Sequence, residues 1–228
     1  MRRRLSEEAV LSSAERLFVR NGFHGTKVDD IAKDAGLTKG AVYFHFKDKS
    51  NVLLALLRRA EDRVLVPILS RMRSADLSAT EKIVEYLHGW ARIALEQRDT
   101  LFLPILMSFE FLGTGDPIER QIKGMYDRIY DSLTAVVEQG RADGEFHDNV
   151  SAGAHVAVLV AISDGMLLEW LRRSDRFDGG EVTRALRQVM LSGLLRREPK
   201  ELLAAPHLPE RAPAAGPAKR ATRKVSAA

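Results

Sequence analysis

A run of basic, hydroxyl and aromatic side chains lies near the amino terminus, between Thr26 and Lys49. The ammonium group of Lys39 can attract phosphates or bond the acceptors of a base edge. Thr38, Tyr43 and His45 can donate hydrogen bonds to phosphate oxygens. This chemistry suits binding to nucleic acid.

Two short helices joined by a tight turn would position these groups. The first, with Thr26 as its predicted N-cap, turns Ile31 and Ala32 inward and ends at Gly36. The second begins after Thr38 and reaches about residue 46. This arrangement is a helix-turn-helix, whose second helix enters the major groove of DNA with its N-terminal residues at the base edges.

Spacing sorts the side chains of the second helix into two faces. Val42 and Phe46, four residues apart, share the face that packs on the preceding helices, whereas Lys39 and Tyr43 share another. Only this second face is free for DNA. Gly40 lacks a side chain, so it lets the backbone approach a partner closely.

Upstream of about residue 198 the apolar residues recur at helical spacing, which predicts an all-α protein of about nine helices. Asp48 is a predicted N-cap, Pro67 is expected to kink its long helix, and Asp116, Pro117 and Glu119 form a predicted capping box. The predicted helices cover about 6–20, 26–36, 38–46, 48–72, 79–97, 99–112, 117–141, 151–173 and 180–196.

Composition excludes several classes of function. The 228 residues include no Cys, so disulfide frameworks, thiolate zinc sites and cysteine nucleophiles are excluded. We find no Gly-rich phosphate loop, no Gly-x-Ser-x-Gly elbow and no His-x-x-x-His pair, and predict no enzyme, no cofactor and no metal site. The longest wholly apolar run, 156–162, is too short to cross a bilayer, so we expect no membrane segment and a cytoplasmic location.

Three regions follow from charge and composition: a helix-turn-helix domain over 1–50, a helical domain over 51–197 and a disordered basic tail over 198–228. Residues 196–228 hold eight basic and three acidic side chains, a net charge of +5. The tail is either a solvated extension or a sequence-independent attraction for phosphates.

The amino-terminal residues resemble the DNA-binding domain of the TetR-family transcriptional regulators over about residues 6–58. The residues that match are Ala14, Leu17, Phe18, Gly22, Thr26, Ile31, Ala32, Gly36, Gly40, Tyr43, His45, Phe46 and Lys49. The resemblance implies a DNA-binding unit over 27–46, with base contacts near Lys39 and phosphate contacts from Lys49 among others. The full set of expected DNA contacts is Thr26, Lys27, Thr38, Lys39, Gly40, Ala41, Tyr43, Phe44, His45 and Lys49. Asp29 and Asp30 are left out because phosphates would repel them.

The resemblance also implies that the second domain dimerises through its last two helices. The expected interface residues are Val156, Leu159, Val160, Leu167, Val182, Leu186, Val189 and Met190. The alternative is that these side chains form a core within one protomer.

A ligand pocket would form among the middle helices, where aromatic and Met side chains are frequent. Its expected residues are Tyr86, Trp90, Phe102, Met107, Phe109, Glu110, Met125, Tyr126, Met166, Glu169 and Trp170. For each aromatic or Met residue, plain core packing is the competing interpretation, and for either Glu it is an ordinary ion pair.

These expectations combine into one function. We expect a dimeric repressor that places two recognition helices roughly 34–36 Å apart on a pseudo-palindromic operator of double-stranded DNA. A small, largely apolar effector would release it. The alternatives are an activator of the same fold, a non-specific DNA binder that uses its basic tail, and a helical interaction module that binds no DNA.

Overall fold

The computed structural model describes residues 2–173, 175–176 and 178–195. Over these residues the protein forms nine helices and no β-strand, which confirms the predicted all-α class. The helices are α1 (Arg2–Gly25), α2 (Val28–Asp34), α3 (Lys39–His45), α4, α5 (Ala79–Glu96), α6 (Arg98–Phe111), α7 (Pro117–Ala142), α8 (Ala152–Arg173) and α9 (Gly179–Leu194). Helix α4 is continuous through Lys49–Ala60, a π-helical turn at Glu61–Leu65 and Val66–Met72.

Side-chain caps start several helices where the sequence places them. The Thr38 hydroxyl accepts a hydrogen bond from the Ala41 amide at 3.2 Å, and Asp48 accepts one from the Asn51 amide at 2.8 Å. Asp116 likewise caps α7. These caps satisfy amides that the first helical turn leaves unpaired.

Two predicted N-terminal signals differ from the structure. The N-cap of α2 is Lys27, whose amide donates to the Asp30 carboxylate at 3.1 Å, and not Thr26. The Glu119 carboxylate accepts from the amides of Gly113 and Gly115 in the preceding loop, so it does not close a capping box on Asp116.

Pro67 changes α4 through the turn that precedes it. Because proline lacks an amide hydrogen and crowds the carbonyl four residues earlier, an ordinary α-helical turn is disfavoured there. The five π-helical residues Glu61–Leu65 lie immediately before Val66 and Pro67 and interrupt the regular α-helical ladder. The irregularity expected at Pro67 is therefore a wide turn inside a continuous helix.

The first three helices pack together and are joined to the rest by α4 and α6. Phe18 on α1, Ile31 on α2 and Val42 on α3 are buried against one another's helices and continue into the buried face of α4. Helix α1 also packs along α6. The apolar core therefore runs without interruption from the helix-turn-helix into the larger domain.

The larger domain is a bundle of α4 to α9. Helix α7 packs on α5, α8 and both ends of α4, while α9 packs on α5 and α8. The whole of the predicted basic tail, 198–228, lies outside the described residues.

Candidate DNA-binding surface and effector cavity

Helix α3 presents a polar face beside a buried one. Val42 and Phe46 are buried, as their spacing predicts. Tyr43 and Phe44 are 47% and 68% exposed, and Thr38, Lys39 and Gly40 are exposed at the N-terminal end. The expected base-reading end of α3 is therefore open to a duplex.

Lys39 forms an ion pair across the helix-turn-helix. Its Nζ lies 3.0 Å from Oδ2 of Asp29 on α2, and both side chains are more than half exposed. The hydrogen bond that the Lys39 ammonium donates to the Asp29 carboxylate raises the pKa of Lys39, which therefore stays charged. Asp29 orients the Lys39 ammonium at the N-terminus of α3.

The start of α1 packs beside α3. The Ser6 hydroxyl and His45 Nε2 are 2.7 Å apart, and the Arg3 guanidinium lies 5.5 Å from the centroid of the Phe44 ring. The amino-terminal arginines are thus part of α1, and Arg3 lies next to α3, the predicted recognition helix. His45 is only partly exposed because of its contact with Ser6.

Two of the expected DNA contacts are directed elsewhere. The Thr26 side chain is 1% exposed and its hydroxyl donates to the carbonyls of Gly22 at 2.8 Å and Leu17 at 3.2 Å, so its predicted contact is wrong. Lys49 Nζ donates to the carbonyls of Phe23 at 2.6 Å and Thr26 at 2.8 Å.

The ammonium of Lys49 also lies 4.1 Å from the centroid of the Phe23 ring, and burial lowers its pKa. This side chain fastens the start of α4 to the junction of α1 and α2. That structural role replaces the phosphate contact expected from the sequence. The sequence does not reveal this role of Lys49, because the carbonyls that accept its hydrogen bonds lie near it only in the folded chain.

Two adjoining cavities lie inside the larger domain. The first, of about 70 Å³, lies among α5, α8 and α9, and the second, of about 40 Å³, among α4 to α8. Trp90, Ser163 and Leu167 line both. Each volume exceeds the ~10–15 Å³ that one water needs.

The sequence identified part of the cavity wall. The expected pocket residues that line one or both cavities are Tyr86, Trp90, Met125, Tyr126, Met166 and Trp170. Asp164 and Thr100, which sequence reasoning did not select, line the second cavity. Asp164 had a usable signal, because it interrupts a long apolar run on α8 and a buried acid needs a partner.

The other expected pocket residues lie elsewhere. Phe102 and Met107 are fully buried in the core without lining either cavity, and Phe109 is 67% exposed. Glu169 pairs with Arg172 and Arg173 on its own helix. Core packing therefore accounts for Phe102 and Met107, and an ordinary ion pair accounts for Glu169. Phe109 faces outward.

Glu110, which was also expected in the pocket, lines neither cavity and contacts the helix-turn-helix domain instead. Its carboxylate accepts hydrogen bonds from the Phe23 amide at 2.9 and 3.0 Å and from the His24 amide at 3.2 Å. At Gly22, φ is +75°, and an added Cβ would lie 2.8 Å from Glu110 Oε1. Glu110 therefore binds the helix-turn-helix domain from the end of α6, at a position that favours glycine.

A second contact joins the other end of α6 to α1. Thr100 Oγ1 donates to the Glu15 carboxylate at 2.8 Å, and Arg59 on α4 lies 2.7 Å from the same carboxylate. Glu15 and Arg59 are largely buried, so this pair is little screened by solvent. Since Thr100 also lines the second cavity, one residue touches both the cavity and the α1–α4 network.

The outward faces of α8 and α9 are rich in small residues. Gly153, Ala157, Ala161 and Gly165 are exposed along α8, with Val158 beside them at 56% exposure. Helix α9 exposes Ala185, Val189, Ser192 and Gly193. Small residues at this spacing let two helices approach closely.

Most of the expected interface residues face inward. Val156, Leu159, Val160 and Met190 are buried within the protomer, so their assignment to an interface is wrong. Leu167, Val182 and Leu186 line the first cavity. Val189, at 61% exposure, is the one expected interface residue on the outward face among those described.

Helix α8 meets the length and composition of a membrane span, with a mean hydropathy of 1.5 over its most apolar window. A helix that packs within a soluble protein meets the same criteria, so length and composition alone do not assign α8 to a membrane. Among the described residues, no group of three or more His, Asp or Glu side chains is arranged to hold a metal ion.

Comparison with known proteins agrees with this geometry. The sequence model of the family described as "Bacterial regulatory proteins, tetR family" matches residues 10–56. The HTH-type transcriptional repressor BepR of Brucella suis biovar 1 is 28% identical over 76% of this chain and 84% of its own length. The HTH-type transcriptional regulator AcrR of Shigella flexneri is 26% identical over 78% of this chain and 86% of its own.

A solved structure extends the likeness to the whole fold. The crystal structure of the MbdR regulator from Azoarcus sp. CIB is 38% identical, covers 83% of this chain and 99% of its own, and superposes with a TM-score of 0.76. With the helix-turn-helix, the bundle and these relatives in agreement, the chain belongs to the TetR family of DNA-binding transcriptional regulators.

Proposed function

We propose that the protein is a homodimeric repressor that binds a pseudo-palindromic operator and leaves it when a small, largely apolar effector enters the two cavities. It acts in the cytoplasm, where its operator DNA lies. The observation that carries this proposal is the position of α6. This helix lines the second cavity and holds α1 through Thr100 and Glu110.

The recognition surface is the exposed side of α3 and the residues around it. Lys39, Gly40 and Ala41 face the bases, while Lys27, Thr38, Tyr43, Phe44 and His45 contact the phosphate and sugar chain. The Lys39–Asp29 pair gives the ammonium a defined direction. Asp29 also adds negative charge beside the DNA, which lowers affinity for phosphates and leaves a larger share of the binding free energy to base contacts.

Dimerisation uses the small-residue faces of α8 and α9. Two copies of this face form a four-helix bundle in which Ala157 and Ala161 of each protomer allow close packing. Burial of Val158 and Val189, both more than half exposed in the single chain, adds a hydrophobic contribution. A twofold axis through this bundle relates the two α3 helices and accounts for a palindromic operator.

Effector binding acts on the spacing of the two α3 helices. A molecule in the second cavity touches Thr100, Leu101, Pro104 and Ile105 on α6 and Val64 in the π-helical turn of α4. Both helices are fastened to the helix-turn-helix, α6 by Glu110 and α4 by Lys49. To end repression, the effector must favour the DNA-incompetent arrangement by a few kcal/mol.

Selection of binding sites from a random DNA pool at physiological salt tests the DNA part of this proposal. The expected product is an inverted repeat, bound by one dimer or a pair of dimers when the complex is sized. Enrichment of no sequence, with binding that disappears as salt rises, would favour non-specific attraction by the basic tail. A repressor should leave the selected operator when a small molecule binds, and transcription should not increase while the protein is bound to DNA. An activator would increase transcription while bound.

A further inference from the structure

Among the described residues that line the two cavities, Asp164 alone has a formally charged side chain. It lies on α8 within the second cavity, where the rest of the wall is mainly aliphatic, aromatic or hydroxyl-bearing. The described lining of both cavities contains no Lys, Arg or His, so it offers this acid no cation.

One hydrogen bond serves this carboxylate. The Tyr126 hydroxyl donates to Asp164 Oδ2 at 2.7 Å, and within the described part of the chain no other hydrogen bond reaches this carboxylate. Burial raises the pKa of Asp164. A group that brought a positive charge to the free side of the carboxylate would relieve the cost of this burial.

Aromatic rings surround the same position. Tyr86 and Trp90 on α5 lie edge to face, with centroids 5.9 Å apart, and Tyr126 lies opposite them on α7. Trp90 Nε1 is buried in the same wall, and no well-formed hydrogen bond satisfies it within the described part of the chain. Rings of this kind attract a cation placed over their faces, most strongly where water is excluded.

We propose that the effector is a cationic amphiphile whose protonated amine binds Asp164 and whose apolar or aromatic body fills the adjoining cavity. The inference rests on the proposed function, because it names the chemistry of the molecule that the cavities accept. The body would lie along Leu167, Met166 and Trp170, which line the first cavity. The two cavities meet at Trp90, Ser163 and Leu167, so a single molecule can occupy both.

An effector that carried a carboxylate in place of the amine would bring a second negative charge to Asp164 with no compensating cation. Like charges in a water-poor cavity repel strongly, and one of the two carboxylates would need to gain a proton. A neutral alcohol can hydrogen-bond to Asp164 but leaves its charge unpaired. The expected order of affinity is therefore amine, then alcohol, then carboxylate.

Three molecules with one apolar body test this order: 4-isopropylbenzylamine, 4-isopropylbenzyl alcohol and 4-isopropylbenzoate at pH 7. The two tryptophans of the chain, Trp90 and Trp170, both line the first cavity, so intrinsic fluorescence reports binding in the absence of DNA. This readout stays valid if operator recognition fails, which separates the inference from the proposed function. We expect the amine to bind at least tenfold more tightly than the alcohol, with the carboxylate weakest.

Two variants assign the preference to Asp164. Asp164→Asn keeps the shape and a partner for Tyr126 but removes the charge, so amine affinity should fall at least tenfold while alcohol affinity changes less than threefold. Asp127→Asn removes a carboxylate charge from the exposed side of α7, outside both cavities, so amine affinity should stay within threefold of wild type. Circular dichroism checks that both variants fold, and if Asp164→Asn does not, the order of the three ligands on wild type decides.

The inference is overturned if the alcohol or the carboxylate binds as tightly as the amine. It is equally overturned if Asp164→Asn folds and binds the amine like wild type, or if no member of the series binds at millimolar concentration.

Discussion

The carboxylate of Glu110, at the end of α6, accepts hydrogen bonds from the backbone amide of Phe23 at 2.9 and 3.0 Å. Phe23 lies in the last turn of α1, directly after the point where Gly22 leaves helical geometry. The helix that lines the second cavity therefore holds the backbone of the DNA-binding domain. Any displacement of α6 acts first on this junction.

Replacing Glu110 by Ala should lower the free energy of unfolding by about 1–3 kcal/mol, because the partly buried amides of Phe23 and His24 lose their acceptor. Urea denaturation at one protein concentration measures this. Glu169→Ala is the matched control, since Glu169 pairs with Arg172 and Arg173 near the end of its own helix, and should cost less than about 0.5 kcal/mol. Equal losses in the two variants would show that the Glu110 contact has no special weight.

Replacing Ala157 by Arg should convert the dimer into a monomer of 25.4 kDa, because a long charged side chain keeps the two α8 helices apart. Sedimentation equilibrium gives the mass. Ala135→Arg, at an exposed alanine in the middle of α7, should leave the dimer intact. A dimeric Ala157→Arg protein would place the interface on another face.

Stability should decrease as the pH falls below about 6.5. Burial and the neighbouring Arg187 lower the pKa of His88, whose Nε2 lies 3.3 Å from the Arg187 guanidinium, with Arg92 acting in the same direction and Glu85 against it. Between the lowered pKa of the folded protein and the value of 6.5 in the unfolded chain, the unfolded chain binds more protons. Its population therefore grows as acid is added.

A His88→Gln protein tests this assignment, because Gln can accept from Arg187 but does not titrate. Its free energy of unfolding should change less between pH 7 and 5.5 than that of wild type, while His155, whose pKa is also lowered by burial, contributes to both. An unchanged pH dependence would assign the effect to other groups.

Replacing Lys39 by Ala should weaken operator binding by about 1–3 kcal/mol if its ammonium contacts a base. Fluorescence anisotropy with the selected operator and a scrambled duplex measures both affinities. Lys123→Ala, at an exposed lysine on α7, is the matched control and should bind like wild type. If Lys39→Ala weakens both duplexes equally, Lys39 contacts phosphate and not bases.

Local sequence signals predicted several features of the DNA-binding domain. The Thr38 and Asp48 caps and the buried pair Val42 and Phe46 depend on neighbours within four residues, so spacing alone identifies them. Thr26 and Lys49 were misassigned for the opposite reason. Thr26 is bound to a carbonyl within α1, that of Leu17, and Lys49 to carbonyls at the α1–α2 junction that lie 23 and 26 residues away in the chain, and the fold brings these groups together.

Periodicity could not orient α8, because the helix is apolar around most of its circumference. Val156 and Leu159 face the protomer's own core, whereas Ala157 and Val158 face outward. The resemblance indicated the two helices of the interface, but it did not show which face of each helix lies outward. The same limit applies to Glu110, whose neighbours Phe109 and Phe111 suggested a cavity while its carboxylate reaches another domain.

The affinity of the full chain for its selected inverted repeat, relative to a scrambled duplex of equal length at physiological salt, tests the central claim most directly. A regulator that reads bases with two α3 helices should prefer the repeat by at least about 10³. A ratio near one, with affinity for both duplexes falling steeply as salt rises, would contradict the account.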